Sequence, residues 1–230
     1  MKRRFDPGEP ELMDRPQPVS GELERDLCNL RQLNRFFGSH RLVLQFLRRW
    51  ILPGYSLRIA DLATGSGDIP RLVVNYARSI GATVKIHAVD QQSSTLQIAR
   101  KLSADYPEIS YIEANVLQWQ PDEPYDIVLC SLALHHFGNN DAVLLLERVR
   151  QLSRKFVLVS DLRRGFLATT GVYLLTALIF REPMTRYDGR VSAARAFSFA
   201  EVRDLARSAG WTNFGHGKFA FARQAIWLEV

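Results

Sequence analysis

Residues 58–68 read Arg-Ile-Ala-Asp-Leu-Ala-Thr-Gly-Ser-Gly-Asp, an apolar segment that ends in an acid and continues into a glycine-rich turn. The first five residues predict a buried strand. Gly65 and Gly67 allow the backbone to turn sharply. Asp68 and Pro70 are typical of the cap and the first turn of a helix. Main-chain N–H groups in such a loop can approach a nucleotide-like ligand closely, so we expect a ligand-binding unit, with an ordinary tight turn as the alternative.

A second acid ends a second apolar segment. Residues 83–89 are rich in β-branched side chains, which favours a strand, and Asp90 follows them. Asp90 comes after Gly67 at about the interval where a ribose-binding carboxylate ends the second strand of a nucleotide-binding βαβ unit. Asp61 and Asp90 are therefore predicted to serve one ligand.

Strand and helix patterns alternate along most of the chain. The predicted order is helices 23–37 and 42–50, strand 58–62, helix 69–80, strand 83–89, helix 94–104, strands 109–113 and 125–131, helix 141–152, strand 155–160, a helix capped by Ser198 and Glu201, and strands 211–218 and 224–229. This pattern predicts an α/β fold with a mostly parallel seven-stranded sheet, helices on both faces and one antiparallel strand in a closing hairpin. Ligands of such sheets bind outside the carboxyl ends of the strands. Asp61, Asp90, Asn115 and Ser131 all lie at such ends.

Four segments, in order, resemble the class I S-adenosylmethionine-dependent methyltransferases. They are the loop 61–68, Val89-Asp90, Glu113-Ala-Asn115 and residues 125–137. The resemblance implies a Rossmann-like class I methyltransferase fold with S-adenosyl-L-methionine as cofactor. It is nearest to the enzymes that act on quinones, phenols and polyketides. The sequence departs from the usual pattern at Ala63, often Gly, and at Asn115, where Asp is common.

The resemblance also implies a role for each matching residue. Asp90 would accept hydrogen bonds from the ribose hydroxyls, while Gly65 and Gly67 would flank the methionine part. Asp61 would hold the methionine part through water or main-chain contacts, and Asn115 would bind the adenine amine. The complete predicted cofactor set is Asp61, Ala63, Thr64, Gly65, Gly67, Asp90, Gln91, Asn115, Val116 and Ser131.

His135 and His136 follow the fourth predicted strand, where an acceptor would lie. A histidine with a pKa near neutrality could take the proton from a phenol during methylation, so either is a candidate catalytic base. Alternatively, the pair shapes the loop and hydrogen-bonds the backbone. No acidic set at ligand spacing suggests the metal-dependent catechol type, so no metal is expected.

The chain is predicted to comprise an N-terminal arm and helical cap (1–53) and a methyltransferase domain (54–230) with a lid-like insertion at about 162–197. Residues 166–180 are apolar almost throughout, yet too short for a bilayer, which takes about 20 residues. They are expected to line a lipophilic pocket or contact a membrane surface transiently, with plain core or a dimer face as equal alternatives. The predicted substrate-binding residues are Arg35, Phe36, His136, Arg164, Tyr173 and Tyr187.

The composition limits the expected cellular location of the protein and the classes of partner it is expected to bind. The net charge is +6, but the basic residues are scattered without a recognisable nucleic-acid module, which favours a solvated basic face. No signal-peptide pattern is found, and Cys28 and Cys130 are expected to be reduced thiols. We therefore expect a cytoplasmic monomer or homodimer without a nucleic-acid partner.

The favoured reaction is O-methylation of a small lipophilic phenol or quinol in secondary, polyketide-like metabolism. The alternatives are C-methylation in quinone biosynthesis, a cofactor-binding scaffold without catalysis, and RNA methylation.

Overall fold

The computed structural model describes residues 2–165, 171 and 182–230. A seven-stranded sheet forms its centre, with the strand order β3-β2-β1-β4-β5-β7-β6. The strands are β1 (Ser56–Leu62), β2 (Thr83–Asp90), β3 (Ile109–Glu113), β4 (Tyr125–Ser131), β5 (Ser153–Leu162), β6 (Phe214–Phe219) and β7 (Arg223–Glu229). The first five strands run parallel, and β7 is antiparallel to both of its neighbours. The predicted fold and the antiparallel strand of the hairpin are confirmed.

Seven helices are described, together with 3-10 turns at Leu12–Asp14 and Leu134–His136. They are α1 (Gly21–Phe36), α2 (Ser39–Trp50), α3 (Asp68–Ser79), α4 (Ser93–Leu102), α5 (Asn139–Leu152), α6 (Pro183–Arg195) and α7 (Phe199–Ser208). One predicted cap is wrong: Gly67, with φ 72°, is the N-cap of α3, and Asp68 is its first helical residue. The capping box of Ser198 and Glu201 on α7 is confirmed.

Apolar side chains cover both faces of the sheet. Ile59 is in register with Ile86 on β2 and with Ile127 on β4, and this row packs under α2 and α3. Alternate residues such as Ala60 and Val128 face the opposite layer, where α5 and α7 lie. Burying each large aliphatic side chain contributes roughly 1.5–3 kcal/mol, so the strand ends are held in a rigid frame. That frame places the ends of β1, β2, β4 and β5 along one edge.

The N-terminal arm, residues 2–20, lies across the body rather than away from it. Its main chain reaches α6, where Arg4 N–H donates to the carbonyl oxygen of Ala194 at 3.1 Å. The side chain of Arg3 donates to the carbonyl oxygens of Arg195, His135 and Phe137. The arm is therefore packed against the body of the protein.

The apolar stretch 166–180 lies outside the described residues except for Gly171, and so does the predicted substrate residue Tyr173. Within the described ranges, no helix combines the length and apolar character needed to cross a membrane. The division of the chain at residue 53 and the lid-like role of 162–197 stay predictions.

Candidate active site

Two carboxylates hold the glycine-rich loop after β1. The Thr64 hydroxyl donates to Asp61 Oδ2 at 2.6 Å, and the Gly65 N–H donates to Asp90 Oδ2 at 2.8 Å. The Thr64 N–H also donates to the carbonyl oxygen of Val89 near the end of β2. The acids at the ends of two neighbouring strands therefore meet at one loop.

Three residues of this loop adopt left-handed backbone angles, with φ of 54° at Ala63, 53° at Gly65 and 72° at Gly67. A Cβ at Gly65 would meet no atom within 4 Å, so its main chain is open to a ligand. A Cβ at Gly67 would instead collide with the hydroxyl of Tyr111. Ala63 holds a conformation that costs a non-glycine residue roughly 1–2 kcal/mol. The rest of the loop and the sheet must offset that strain.

The two acids differ in where they face. Asp61 is buried, and burial raises its pKa to about 8, more than its hydrogen bond from Thr64 lowers it. It positions the loop through Thr64 and does not line the long cleft, and its predicted hold on the methionine part through water or main-chain contacts stays a prediction. Asp90 lines the cleft beside the loop, and its Oδ1 accepts from the Gln92 N–H at 3.0 Å. Burial raises the pKa of Asp90 as well.

A long cleft of about 1470 Å³ runs along the strand ends. It brings together eight of the predicted site residues, namely Ala63, Gly65, Asp90, Gln91, Asn115, Val116, His136 and Arg164. The side-chain oxygen of Asn115 already accepts from the Leu117 N–H at 2.9 Å, which fixes the turn after β3. Arg164 lies at the far wall, where it donates to the carbonyl oxygen of Ala196 and to Glu201.

A second cavity of about 670 Å³ lies behind the loop and has mostly apolar walls. Leu27, Leu30 and Leu33 of α1 and Leu162 of β5 contribute to them. Thr64, Ser131 and His135, all predicted site residues, also line this cavity. The two cavities share four lining residues, namely Met13, Ala63, Gly65 and Leu132. They therefore adjoin at the glycine loop and at the end of β4.

Each of the paired histidines has one ring nitrogen within hydrogen-bond distance of a carboxylate. His135 Nδ1 lies 2.6 Å from Asp161 Oδ1, and His136 Nδ1 lies 2.6 Å from Asp14 Oδ2. Their Nε2 atoms turn toward Glu11, whose Oε1 is 3.6 Å from that of His135 and 3.9 Å from that of His136. Two residues of the arm thus complete the wall between the cavities.

This arrangement favours protonated imidazoles. Burial opposes the charge on His136, but Glu11 and Asp14 outweigh it and raise its pKa to about 10. Burial likewise opposes the charge on His135, and Asp161 raises the pKa above its ordinary value. Burial opposes the charge on Glu11, yet His136 and His135 lower its pKa to about 2. A protonated His136 imidazole cannot take a proton from a phenol, and the base role of either histidine stays a prediction.

Two predicted substrate residues on α1 do not reach either cavity. Arg35 is exposed and Phe36 is 67% exposed, and the Arg35 guanidinium lies over the Phe36 ring. Their neighbours Asn34 and Phe37 line the apolar cavity instead. Side chains of adjacent helical residues point about 100° apart, so an error of one position in the sequence prediction selects a face of α1 that points away from the cavity. Tyr187 is also placed elsewhere, at a shallow depression on the outer side of α6.

The sequence missed the residues that come from the arm. Glu11 and Asp14 gave no local pattern that links them to the histidines. Asp161 lies near the carboxyl end of β5, where the strand-end rule that identified Asp61 and Asp90 also applies. The arm residues had no such signal.

The comparisons with known proteins agree with this geometry. Residues 59–155 match the family described as methyltransferase domain. The 2-phytyl-1,4-naphtoquinone methyltransferase of Trichormus variabilis is 29% identical over 146 residues, 62% of this chain and 57% of that protein. The ubiquinone/menaquinone biosynthesis C-methyltransferase of Shewanella pealeana is 28% identical over 112 residues, 47% of this chain and 43% of that protein. The chain thus spans about half the length of these curated relatives.

A solved structure shares the fold over almost the whole chain. The magnesium protoporphyrin IX methyltransferase of Synechocystis, with bound SAH, superposes with a TM-score of 0.58 at 17% identity. The match covers 94% of this chain and 90% of that one. The class I methyltransferase fold is therefore established for the chain.

Proposed function

We propose that this chain, whose residues 59–155 are a methyltransferase domain, transfers the methyl group of S-adenosyl-L-methionine to a small lipophilic acceptor. The observation that carries the proposal is the pair of adjoining cavities. One cavity presents a strand-end carboxylate and open main chain, and the other presents apolar side chains. They meet at Gly65 and Leu132, where a methyl group could pass from one ligand to the other.

The cofactor fits the long cleft with its adenosine toward β2 and β3. Asp90 would accept hydrogen bonds from the ribose hydroxyls, and Val116 with the turn of Asn115 would border the adenine. Because Asn115 Oδ1 already accepts one hydrogen bond, its second lone pair is what remains for the adenine amine. The methionine part would cross the open face of Gly65 toward Ser131.

The acceptor would occupy the apolar cavity, whose volume of about 670 Å³ suits a ring compound. Methyl transfer is a displacement at carbon, so holding the nucleophile in line with the methyl group supplies much of the acceleration. The leucines of α1 exclude water from that path. The chemistry therefore needs little beyond correct placement.

The atom that receives the methyl group decides between two candidates. The sequence favours O-methylation of a phenol or quinol. C-methylation of a quinol ring is the second candidate, because the two curated relatives are named as a naphtoquinone methyltransferase and a C-methyltransferase of quinone biosynthesis. The predicted cytoplasmic location and monomeric or homodimeric state belong to the same proposal. So does the absence of a nucleic-acid partner.

Cofactor binding is tested by calorimetry with S-adenosylmethionine and S-adenosylhomocysteine. We expect micromolar binding by the wild type and a loss of about 10- to 150-fold in Asp90→Ala, since a charged hydrogen-bond acceptor is worth about 1.5–3 kcal/mol. Asp105→Ala removes an exposed acid far from the cleft and should bind as the wild type does. No binding by the wild type would exclude the enzyme proposal.

The acceptor is tested with cofactor carrying a labelled methyl group, offered with a reduced naphthoquinone, a simple phenol or bulk RNA. We expect label in the organic extract with the quinol or the phenol. Mass spectrometry of the product then distinguishes a ring carbon from an oxygen. Label in the RNA fraction, with binding that weakens steeply as salt rises, would support the RNA alternative instead.

A further inference from the structure

The wall between the two cavities contains a group of side chains that the proposed methyl transfer does not explain. Glu11 and His135 are each 2% exposed, and His136 is half-buried beside them. Their ligand atoms lie within 4.8 Å of one another. We propose that Glu11, His135 and His136 bind a divalent transition-metal ion, with zinc as the reference ion.

The distances fit a shared ion better than they fit direct hydrogen bonds. Glu11 Oε1 lies 3.6 Å from His135 Nε2 and 3.9 Å from His136 Nε2, beyond the usual 2.7–3.2 Å of an N–H···O bond. Two ligand atoms about 2.1 Å from a tetrahedral zinc ion stand roughly 3.4 Å apart. The three atoms therefore surround a space that an ion could occupy with small adjustments.

The far side of each ring is arranged as in known metal sites. A metal-bound histidine usually gives its other ring N–H to a carboxylate or carbonyl, which fixes the tautomer and raises the basicity of the binding nitrogen. Here Asp161 holds His135 Nδ1 and Asp14 holds His136 Nδ1, both at 2.6 Å. Asp161 Oδ2 also accepts from the main-chain N–H of His135 at 2.8 Å. Both Nε2 atoms are thereby directed toward Glu11.

The ligand set indicates the class of ion. Two imidazoles with one carboxylate suit zinc, copper, iron or nickel rather than calcium or magnesium.

The site would tie the arm to the sheet. Glu11 belongs to the arm, and its carboxylate also accepts from the Ser192 hydroxyl on α6 at 2.7 Å. Next to it, the Leu12 and Met13 N–H groups donate to the carboxylate of Asp188. An ion held by Glu11 and the histidines would therefore keep the arm closed over both cavities.

The test uses the full chain without a histidine tag, stripped of metal and then given Zn²⁺. Zinc content is measured by elemental mass spectrometry after removal of free ion, and affinity by competition with a coloured chelator. We expect one ion per chain in the wild type and at least a 100-fold weaker affinity in His136→Gln and Glu11→Gln. Asp14→Asn keeps all three ligands, and we expect 10- to 100-fold weaker binding from the lost outer partner.

The matched control is His87→Gln, which removes a histidine that contacts Tyr125 away from the cluster. It should bind zinc as the wild type does. Co²⁺ should give visible absorption in the wild type and lose it in His136→Gln. If His136→Gln holds as much zinc as the wild type, or if His87→Gln loses it, the site is excluded and the cluster is an ion-pair lock. Because no step uses the methyl donor, failure here leaves the cofactor-binding test unaffected.

Discussion

The two sides of the active site are built in different ways. On the cofactor side, Asp61, Gly65 and Asp90 lie within 30 residues of one another, at or just after the ends of strands that the sequence itself predicts. On the closing side, Glu11 and Asp14 lie more than 120 residues before His135 and His136 in the chain, and only the packed arm brings them together. Local sequence pattern is sufficient to predict the cofactor side because the sheet register fixes the strand ends. The closing side depends on many long-range contacts, and each of them can be broken without breaking the others.

The largest effect is expected on the cofactor side, from Gly67→Ala. The added Cβ would collide with the Tyr111 hydroxyl, and φ there is 72°. We expect about 3 kcal/mol of destabilisation, measured by urea unfolding, with loss of S-adenosylhomocysteine binding. Gly54→Ala is the control, because φ is 78° and the Cβ would meet nothing within 4 Å. It should cost only about 1 kcal/mol. Equal losses in the two variants would contradict the collision.

The next effect concerns pH and Asp61. Its pKa of about 8 in the folded state exceeds the value of about 3.9 expected when unfolded, so the folded state binds the proton more tightly. The resulting stability is complete below pH 4 and is lost as the pH rises toward 8. Between pH 6 and 8 we expect the cofactor-free protein to lose about 2 kcal/mol of stability from this group.

Asp61→Asn mimics the protonated carboxyl, so it removes the fall in unfolding free energy with rising pH that Asp61 causes. Urea unfolding at several pH values, taken as the difference between wild type and variant, cancels the other titrating groups. Parallel curves for the two proteins would show that Asp61 is ionised throughout.

A smaller and more local effect is expected on the closing side, from Asp188→Ala. The Leu12 and Met13 N–H groups lose their acceptor at 2.7 and 3.1 Å, while the sheet is untouched. We expect hydrogen exchange of these two amides to become about 10- to 100-fold faster, with β4 amides unchanged. Asp204→Ala, which removes an exposed acid, is the control. If β4 amides also exchange faster, the arm and the sheet unfold as one unit.

The smallest effect is expected at Arg35 and Phe36. Both are exposed on α1 and line neither cavity, so Arg35→Ala and Phe36→Ala should change stability by less than about 0.5 kcal/mol. Their kcat/KM with the identified acceptor should match the wild type. Leu30→Ala, which enlarges the apolar cavity from the same helix, should raise KM. A fall in kcat/KM for Arg35→Ala would restore its predicted role in substrate binding.

Much of the cofactor side could be read from the sequence. The alternation of strand and helix gave the sheet, and acids at strand ends gave Asp61 and Asp90. What could not be read was the direction of each side chain: Asp61 turns under the loop, whereas Asp90 faces the cleft. On α1, the helical pattern did not show that Asn34 and Phe37, rather than Arg35 and Phe36, line the apolar cavity. Tyr187 lies at a separate depression on α6, and nothing local in the sequence indicates which face of α6 packs against the arm.

The sequence by itself determined the α/β fold, the glycine-rich loop and the set of strand-end residues, because backbone propensity and apolar periodicity act over a few residues. Only the tertiary structure decided that the arm packs, that Glu11 lies between His135 and His136, and that each ring is held by a carboxylate. Those contacts join residues far apart in the chain. Their free energy comes from burial and charge pairing that exist only after the sheet has formed.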